Sequence, residues 1–194
     1  MSGLIKTSEQ IRTMKEGGRL LAGVMERVRQ SIAAGVRLNE LDRLARECMR
    51  DAGGTPSFLG YRPAGAARPY PAALCASIND TIVHGIPDAY AMREGDVVKL
   101  DFGFFYKGFH TDAAFTVGIG AIASAAKRLI ESTRRALADG IRQARPGNTL
   151  GDVGYAIERA VRADGFHVAD ELTGHGIGAR LHEDPYVFNT GVPG

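Results

Sequence analysis

The sequence predicts an α+β protein of two pseudo-symmetric halves, with helices outside and a central antiparallel sheet. One observation behind this prediction is an apolar hairpin pattern, VVKLDFGFFYKGFHTDAAFTV, at 97–117. The other is a repeated helix pair: shifted by 112 residues, Gly35 meets Gly147 and Gly53 meets Gly165. We therefore interpret the chain as a single domain with a first half, 1–118, and an incomplete second half, 119–194. The alternative is a chance match between two ordinary αα-hairpins.

Four helices are predicted from apolar residues at helical spacing. The first is capped by Thr7 or Ser8 and runs to about residue 33, and the second begins at Leu38 and stops at the Gly53-Gly54 pair. The third and fourth are expected at 121–144 and 150–163, separated by Pro146-Gly147. These two pairs carry the proposed repeat.

Strands are predicted at 74–78, at 81–84, on both sides of a turn at 106–108, and from 166 onward, with loops at 55–71 and 85–95. Asp101 and Asp112 are equidistant from the hairpin turn, so we expect them to lie roughly opposite each other. Opposed like charges destabilise a sheet, and buried carboxylates need a partner. The pair therefore predicts a bridging divalent cation. An Asx-turn or a strand-end cap is the alternative.

Composition points to an ordinary soluble globular protein. The 194 residues are 44% hydrophobic and 24% charged, with a net charge of +2 and no basic run that would suggest nucleic-acid binding. Cys48 and Cys75 fit no metal-binding spacing and indicate a reduced, cytoplasmic protein. No stretch approaches the length of a membrane span.

Three histidine motifs could supply further chemistry: His84 in IVHGIP, His175 in TGHGIG and His182 in LHEDP. The glycines beside His175 would let a ligand approach closely. A histidine and two carboxylates suit Mn, Fe, Co or Zn better than Ca, and bridging carboxylates suit a two-metal centre. Each histidine could instead be a hydrogen-bonded core residue. We interpret His110 and His167 as structural or surface residues, and 183–184 as a solvated turn.

Together these segments resemble the type I methionine aminopeptidases, which have the pita-bread fold. The resemblance runs along nearly the whole chain. It is carried by IKTSEQIRTMKEGGRL, GVRLNELD, LCASINDTIVHGIPD, DFGFFYKGFHTDAAFTVG, RPGNTL and ELTGHGIGARLHEDPYV. It implies removal of the N-terminal methionine from newly made polypeptides by metal-bound hydroxide.

The resemblance also implies roles for individual residues. Asp101, Asp112 and His175 would be metal ligands in a site that holds two divalent ions in the family. His182 would stabilise the oxyanion, and His84 would contact the scissile amide or the leaving amine. The methionine pocket would be lined by Phe58, Tyr61, Tyr70, Cys75 and Leu181. The family's two glutamate ligands follow the HEDP motif and have no counterpart here, so we expect little activity from the 194 residues alone.

Two other interpretations stay open at this point. One is a prolidase-like aminopeptidase, which shares the fold and the types of ligand. The other is a non-catalytic pita-bread module that binds chain termini. The expected partners of the enzyme are N-terminal methionine peptides and nascent chains near the ribosome. We expect a cytoplasmic monomer that binds neither nucleic acid nor membrane.

Overall fold

The computed structural model describes residues 5–63, 65–169 and 171–194. Its elements, in chain order, are α1 (Ser8–Gln30), α2 (Leu38–Asp51), β1 (Thr55–Pro56), β2 (Leu74–Ile78), β3 (Val97–Tyr106), β4 (Phe109–Gly118), α3 (Ser124–Gln143), α4 (Leu150–Ala163), β5 (Thr173–Gly176) and β6 (Glu183–Phe188). This mixture of helices and antiparallel strands is the predicted α+β class. Among the described residues, no helix is both long enough and apolar enough to cross a membrane.

The contacts divide the chain into two compact units. Unit 1 comprises Met1–Ile122 and Ile177–Leu181, and unit 2 comprises Ala123–Gly176 and His182–Gly194. The short segment 177–181 therefore belongs to unit 1, although it lies between two strands of unit 2. The interpretation of 1–194 as one catalytic domain stays a prediction.

Unit 1 is built around β3, the central strand of a four-stranded antiparallel sheet. One edge of β3 pairs with β1 and β2, and its other edge pairs with β4 along ten residues. The helices α1 and α2 pack against this sheet. The core between them is apolar and contains Leu21, Val28, Met49, Leu100, Phe102 and Phe104, all at most 2% exposed.

Unit 2 contains the helix pair α3 and α4 and the two-stranded sheet of β5 and β6. The helices approach closely at Gly140, where an added Cβ would lie 2.8 Å from Cγ1 of Ile157. The strands β5 and β6 were not predicted. Residues 183–184, interpreted as a solvated turn, instead begin β6.

The helix repeat is confirmed in the backbone. The helices α2 and α4 both have 14 residues and begin 112 residues apart, at Leu38 and Leu150. Both end in the same Schellman motif, since Gly54 N–H bonds the Met49 carbonyl and Phe166 N–H bonds the Val161 carbonyl. The glycine inside each motif has a positive φ, 80° at Gly53 and 79° at Gly165.

Two predicted strands are wrong, each because local bonds direct the backbone elsewhere. At 166–168 the chain leaves α4 through the Schellman motif and forms no ladder. At 81–84 it forms a loop that returns to β2, where Gly85 bonds Ala76 and Ser77. The predicted first helix is also three residues too long, because α1 ends at Gln30.

Candidate active site

The hairpin of β3 and β4 brings Asp101 and Asp112 to one face of the sheet. The turn is shorter than predicted, with Lys107 and Gly108 at φ 47° and 87°. These positive φ angles at both turn residues are those of a tight hairpin. Asp101 therefore pairs with Ala114, and Asp112 pairs with Gly103. The two aspartates are diagonal neighbours, two residue pairs apart along the ladder, rather than directly opposite each other.

The carboxyl groups of this pair nevertheless interact directly. The pKa of Asp112 is raised to about 8. The causes are burial of its carboxyl group, the charge of Asp101 and a hydrogen bond with Asp101. Asp112 as a whole residue is exposed, so this burial concerns the carboxyl end of the side chain. Two carboxyl groups that cannot both ionise at neutral pH form a place where a cation would be stabilised.

A second feature of unit 1 is an apolar cluster, which we call the pocket cluster. Its buried members are Phe58, Cys75 and Leu181, and Tyr61, Tyr70 and Ile177 pack against them. Five of these six residues were predicted to line a methionine pocket, and the fold brings them together from three separate segments. Ile177 was missed. Its signal in the sequence was its position four residues before Leu181, in the same apolar segment.

The pocket cluster lies beside the aspartate pair. Cys75 on β2 is the direct cross-strand partner of Asp101 on β3. Burial raises the pKa of the Cys75 thiol to about 11, and the charges of Asp101 and Asp112 contribute. The thiol is therefore neutral at physiological pH and acts as a small apolar group. The apolar pocket cluster and the aspartate pair therefore meet where β2 pairs with β3.

His84 lies on the loop that follows β2 rather than on a strand. Its ring is exposed, and its backbone has φ 58°, in the left-handed region that few non-glycine residues adopt. The next residue, Gly85, bonds β2 at Ala76 and Ser77. The loop is therefore fixed against the strand that carries Cys75.

His175 and His182 lie together in unit 2. Their ring centroids are 4.4 Å apart, and the rings are tilted by 55°. Nδ1 of His175 is 2.9 Å from the carbonyl of Gly176. A carbonyl only accepts, so Nδ1 is the donor in this contact and Nε2 lies on the other side of the ring.

The glycines beside His175 serve strand pairing. A Cβ on Gly176 would lie 2.3 Å from the Asp184 carbonyl oxygen, and one on Gly174 would lie 3.3 Å from that of Val187. Close approach of a ligand was predicted here, whereas the group that lies close to these glycines is the backbone of β6. Side chains at these positions would displace the strand that pairs with His175.

His110 has the structural contacts that were predicted for it. Its Nδ1 lies 2.8 Å from the Ser57 hydroxyl, and its backbone N–H donates to the Gly178 carbonyl. The second bond joins β4 to the segment that carries Leu181. Within the residues that the structure describes, no three His, Cys, Asp or Glu side chains converge as a metal site.

Known proteins are similar to this chain in sequence and in fold. The model of metallopeptidase family M24 matches residues 12–193. A methionine aminopeptidase of Clostridium perfringens is 38% identical over 191 residues, which cover 98% of this chain and 74% of that protein. Methionine aminopeptidase 1 of Mycobacterium tuberculosis is 40% identical over 196 residues, covering 97% of this chain and 71% of that protein.

Solved structures agree with these sequence matches. The crystal structure of a methionine aminopeptidase from Thermotoga maritima has a TM-score of 0.92 and 37% identity, and the match covers 98% of this chain and 74% of that one. A prolidase from Pyrococcus furiosus has a TM-score of 0.83 at 19% identity, covering 98% of this chain and 54% of the prolidase. The prolidase match concerns the fold alone.

Proposed function

This chain belongs to metallopeptidase family M24, and we propose that it hydrolyses the bond after an N-terminal methionine, as a methionyl aminopeptidase. The proposal is supported by 35–40% identity to curated methionine aminopeptidases over nearly the whole chain. The observation that carries it is the position of the pocket cluster directly beside the Asp101–Asp112 pair. An apolar side chain and the bond to be cleaved can be held next to each other there.

The pocket cluster suits a methionine side chain. Methionine is long, unbranched and polarizable, and its sulfur makes favourable contacts with aromatic rings. Phe58, Tyr61 and Tyr70 supply such rings, while Cys75 and Leu181 supply soft apolar contacts. The neutral Cys75 thiol adds no charge to the pocket. A charged side chain at this position of a substrate would lose its hydration without gaining a partner.

We propose Asp101, Asp112 and His175 as ligands of a divalent metal such as Mn, Fe, Co or Zn, with two ions in the complete site. The donor chemistry fits, since two carboxyl groups that repel each other and an imidazole form the mixed oxygen and nitrogen set that these metals bind. When bound, the metal would supply the Lewis acidity that activates a water molecule and polarises the scissile carbonyl. Mutual repulsion of the aspartates would be relieved at the same time.

The two other histidines are proposed to contact the reacting atoms. His182 would donate a hydrogen bond to the oxygen on which negative charge develops, and His84 would contact the scissile amide or the leaving amine. Both rings are exposed, as contact with a substrate requires. Replacing His84 with Ala is expected to lower kcat about 100-fold, the lower range for losing such a group.

We further propose that the substrates are nascent polypeptides, met close to the ribosome in the cytoplasm by a monomeric enzyme. This is the setting in which an N-terminal methionine first becomes available. The support is the similarity to methionine aminopeptidases.

The enzymatic test uses the protein that carries this sequence. We expect it to release methionine from Met-Ala-Ser when Mn or Co is added, and to leave Ala-Pro intact. A prolidase-like enzyme would show the opposite preference. The sequence similarity favours the first result, since the prolidase of Pyrococcus furiosus is only 19% identical. Release of proline from Ala-Pro without release of methionine from Met-Ala-Ser would contradict the proposal.

A metal-binding test needs no turnover. Titration of the 194-residue chain with Mn, followed by electron paramagnetic resonance, measures affinity directly. We expect Asp101→Asn and Asp112→Asn each to weaken binding at least about tenfold, the loss that even outer-shell changes cause. Asp51→Asn, at the exposed end of α2, removes a carboxylate of no proposed role and should leave affinity unchanged. Equal affinities in all four proteins would contradict the ligand assignment.

A further inference from the structure

Tyr70 contacts the pocket cluster with its ring and the loop after β2 with its hydroxyl. Its ring packs edge-on against Phe58, with centroids 6.5 Å apart and planes at 88°, and so belongs to the pocket cluster. Its hydroxyl donates to the Gly85 carbonyl at 2.8 Å and lies 3.2 Å from the Leu74 carbonyl. One rigid side chain therefore connects the pocket cluster with the loop after β2.

Gly85 is the residue by which that loop is fixed to β2. Its N–H donates to the Ser77 hydroxyl at 3.1 Å, and its carbonyl accepts from the Ala76 N–H at 2.8 Å in addition to Tyr70. A Cβ at Gly85 would lie 2.2 Å from the Ala76 carbonyl oxygen, so only glycine permits this approach. These three hydrogen bonds hold both peptide groups of Gly85: the one shared with His84 through the Gly85 N–H, and the one shared with Ile86 through the Gly85 carbonyl.

His84 directly precedes Gly85 and has φ 58°. A non-glycine residue in the left-handed region is held there by its surroundings, at a cost in backbone strain. The exposed ring receives little orientation from packing. The direction of the His84 ring therefore depends on the position of the Gly85 backbone. The Tyr70 hydroxyl helps to hold that backbone in place.

We propose that Tyr70 is a positioning residue for His84, while its ring lines the methionine pocket. This inference rests on the proposed aminopeptidase function, in which His84 contacts the scissile amide or leaving amine. The hydroxyl keeps the Gly85 peptide against β2 and so keeps the His84 ring in reach of the bond beyond the pocket. A rigid aromatic side chain then fixes the distance between the methionine side chain and His84.

The kinetic test is Tyr70→Phe, which keeps the ring and removes the hydroxyl. We expect kcat for Met-Ala-Ser to fall about three- to tenfold, the effect of one hydrogen bond, with KM changed less than about twofold. Ser77→Ala removes a different bond to Gly85 and should lower kcat in the same way. Tyr90→Phe is the matched control, because its hydroxyl bonds Asp96 in the same unit. A rise in KM alone, or an unchanged kcat in Tyr70→Phe, would overturn the proposal.

A spectroscopic test separates this inference from the proposed function. In Tyr70→Phe the His84 ring signals should shift, and the Gly85 N–H should exchange with solvent faster, whereas Tyr90→Phe should change neither. If these changes occur in a protein that does not hydrolyse Met-Ala-Ser, the proposed function fails and the positioning role stands. If Tyr70→Phe leaves the His84 and Gly85 signals as they are in the unchanged protein, the positioning role is wrong.

Discussion

The two units contain the same helix pair but bury residues of different size. In unit 1 the buried residues of α1 include Leu21, Val24 and Val28, which pack against the sheet. In unit 2 the buried residues of α3 are Ser132, Ala136 and Gly140. The last two occupy the repeat positions of Val24 and Val28. Meanwhile three large apolar residues of α3 are exposed: Leu129 at 47%, Leu137 at 58% and Ile141 at 64%.

The repeat specifies where the helices begin and end, whereas the elements packed against them determine which side chains are buried. In both pairs the second helix has 14 residues and ends at a glycine in the same position of the repeat, whereas α1 has 23 residues and α3 has 20. In unit 1 large side chains fill the space between a helix and a sheet. In unit 2 small residues let two helices approach closely, as Gly140 approaches Ile157. Helical periodicity predicts which residues share a face, but the neighbouring element determines how deeply they are buried.

The largest expected effect comes from matched leucine truncations in the two units. Leu21→Ala removes a side chain that is 2% exposed and should lower the free energy of unfolding by about 2–5 kcal/mol. Leu137→Ala on α3 removes an exposed side chain and should change it by about 0.5 kcal/mol or less. Urea unfolding followed by circular dichroism measures both. Similar losses in the two variants would break the comparison.

A smaller effect is expected from adding one methyl group to each helix pair. Gly140→Ala would place a Cβ against Ile157, and the overpacking cost should exceed the gain in helix propensity, for a net loss of about 1 kcal/mol. Gly23→Ala on α1 has no atom within 4 Å of the new methyl group and should be stabilised by about 0.5–1 kcal/mol. Melting temperatures of both variants give the sign. A stabilised Gly140→Ala variant would show that α3 and α4 are not closely packed.

The smallest expected effect is a pH dependence that differs between buried and exposed carboxylates. Burial tends to raise the pKa of Asp96 in unit 1, but hydrogen bonds from Asn79, the Arg93 backbone N–H and Tyr90 outweigh it and lower the pKa below 3.8. The stabilisation is therefore present above the unfolded-state value and is lost as pH falls through the lower folded-state value. Unfolding measured at several acidic pH values should show this loss, and Asp96→Asn should reduce it.

Salt provides the control for the pH experiment. The donors to Asp96 are mainly neutral, so its acid-dependent stabilisation should persist in 1 M salt, roughly the concentration at which exposed charges are screened within about 3 Å. In unit 2, the neighbouring Ser132 and Arg135 lower the pKa of Asp164, and Arg135 forms an exposed ion pair with it. The contribution of Arg135 to the lowered pKa of Asp164 should weaken in 1 M salt. Equal salt sensitivity at both aspartates would contradict this distinction.

Much of the fold could be predicted because the signals were local. Thr7 caps α1 through a capping box with Gln10, and the first residue of α2 and of α4 was predicted correctly. The hairpin was visible in its alternation and turn residues. The pocket residues were identified through a family resemblance, and the structure brings all five into one cluster. Their role in substrate binding stays a prediction.

The errors concern segments whose conformation depends on distant partners. The strand β5 is four residues long and contains two glycines, so no strand propensity marks it; its pairing with β6 defines it. Conversely, 81–84 has strand-forming residues, but the bonds of Gly85 to β2 turn it into a loop. The register of the aspartates depended on whether the turn had two or three residues. Local pattern could not decide any of these cases.

By itself the sequence determined the helix pairs, their glycine stops and the aspartate hairpin, because capping, periodicity and turn chemistry act over a few residues. Only the tertiary structure decided that Asp101 and Asp112 are diagonal neighbours and that Cys75 lies across from Asp101. It also decided that the Tyr70 hydroxyl reaches the carbonyl of Gly85, the residue after His84. Those contacts join residues far apart in the chain, and their geometry follows from strand register and packing, which local pattern does not fix.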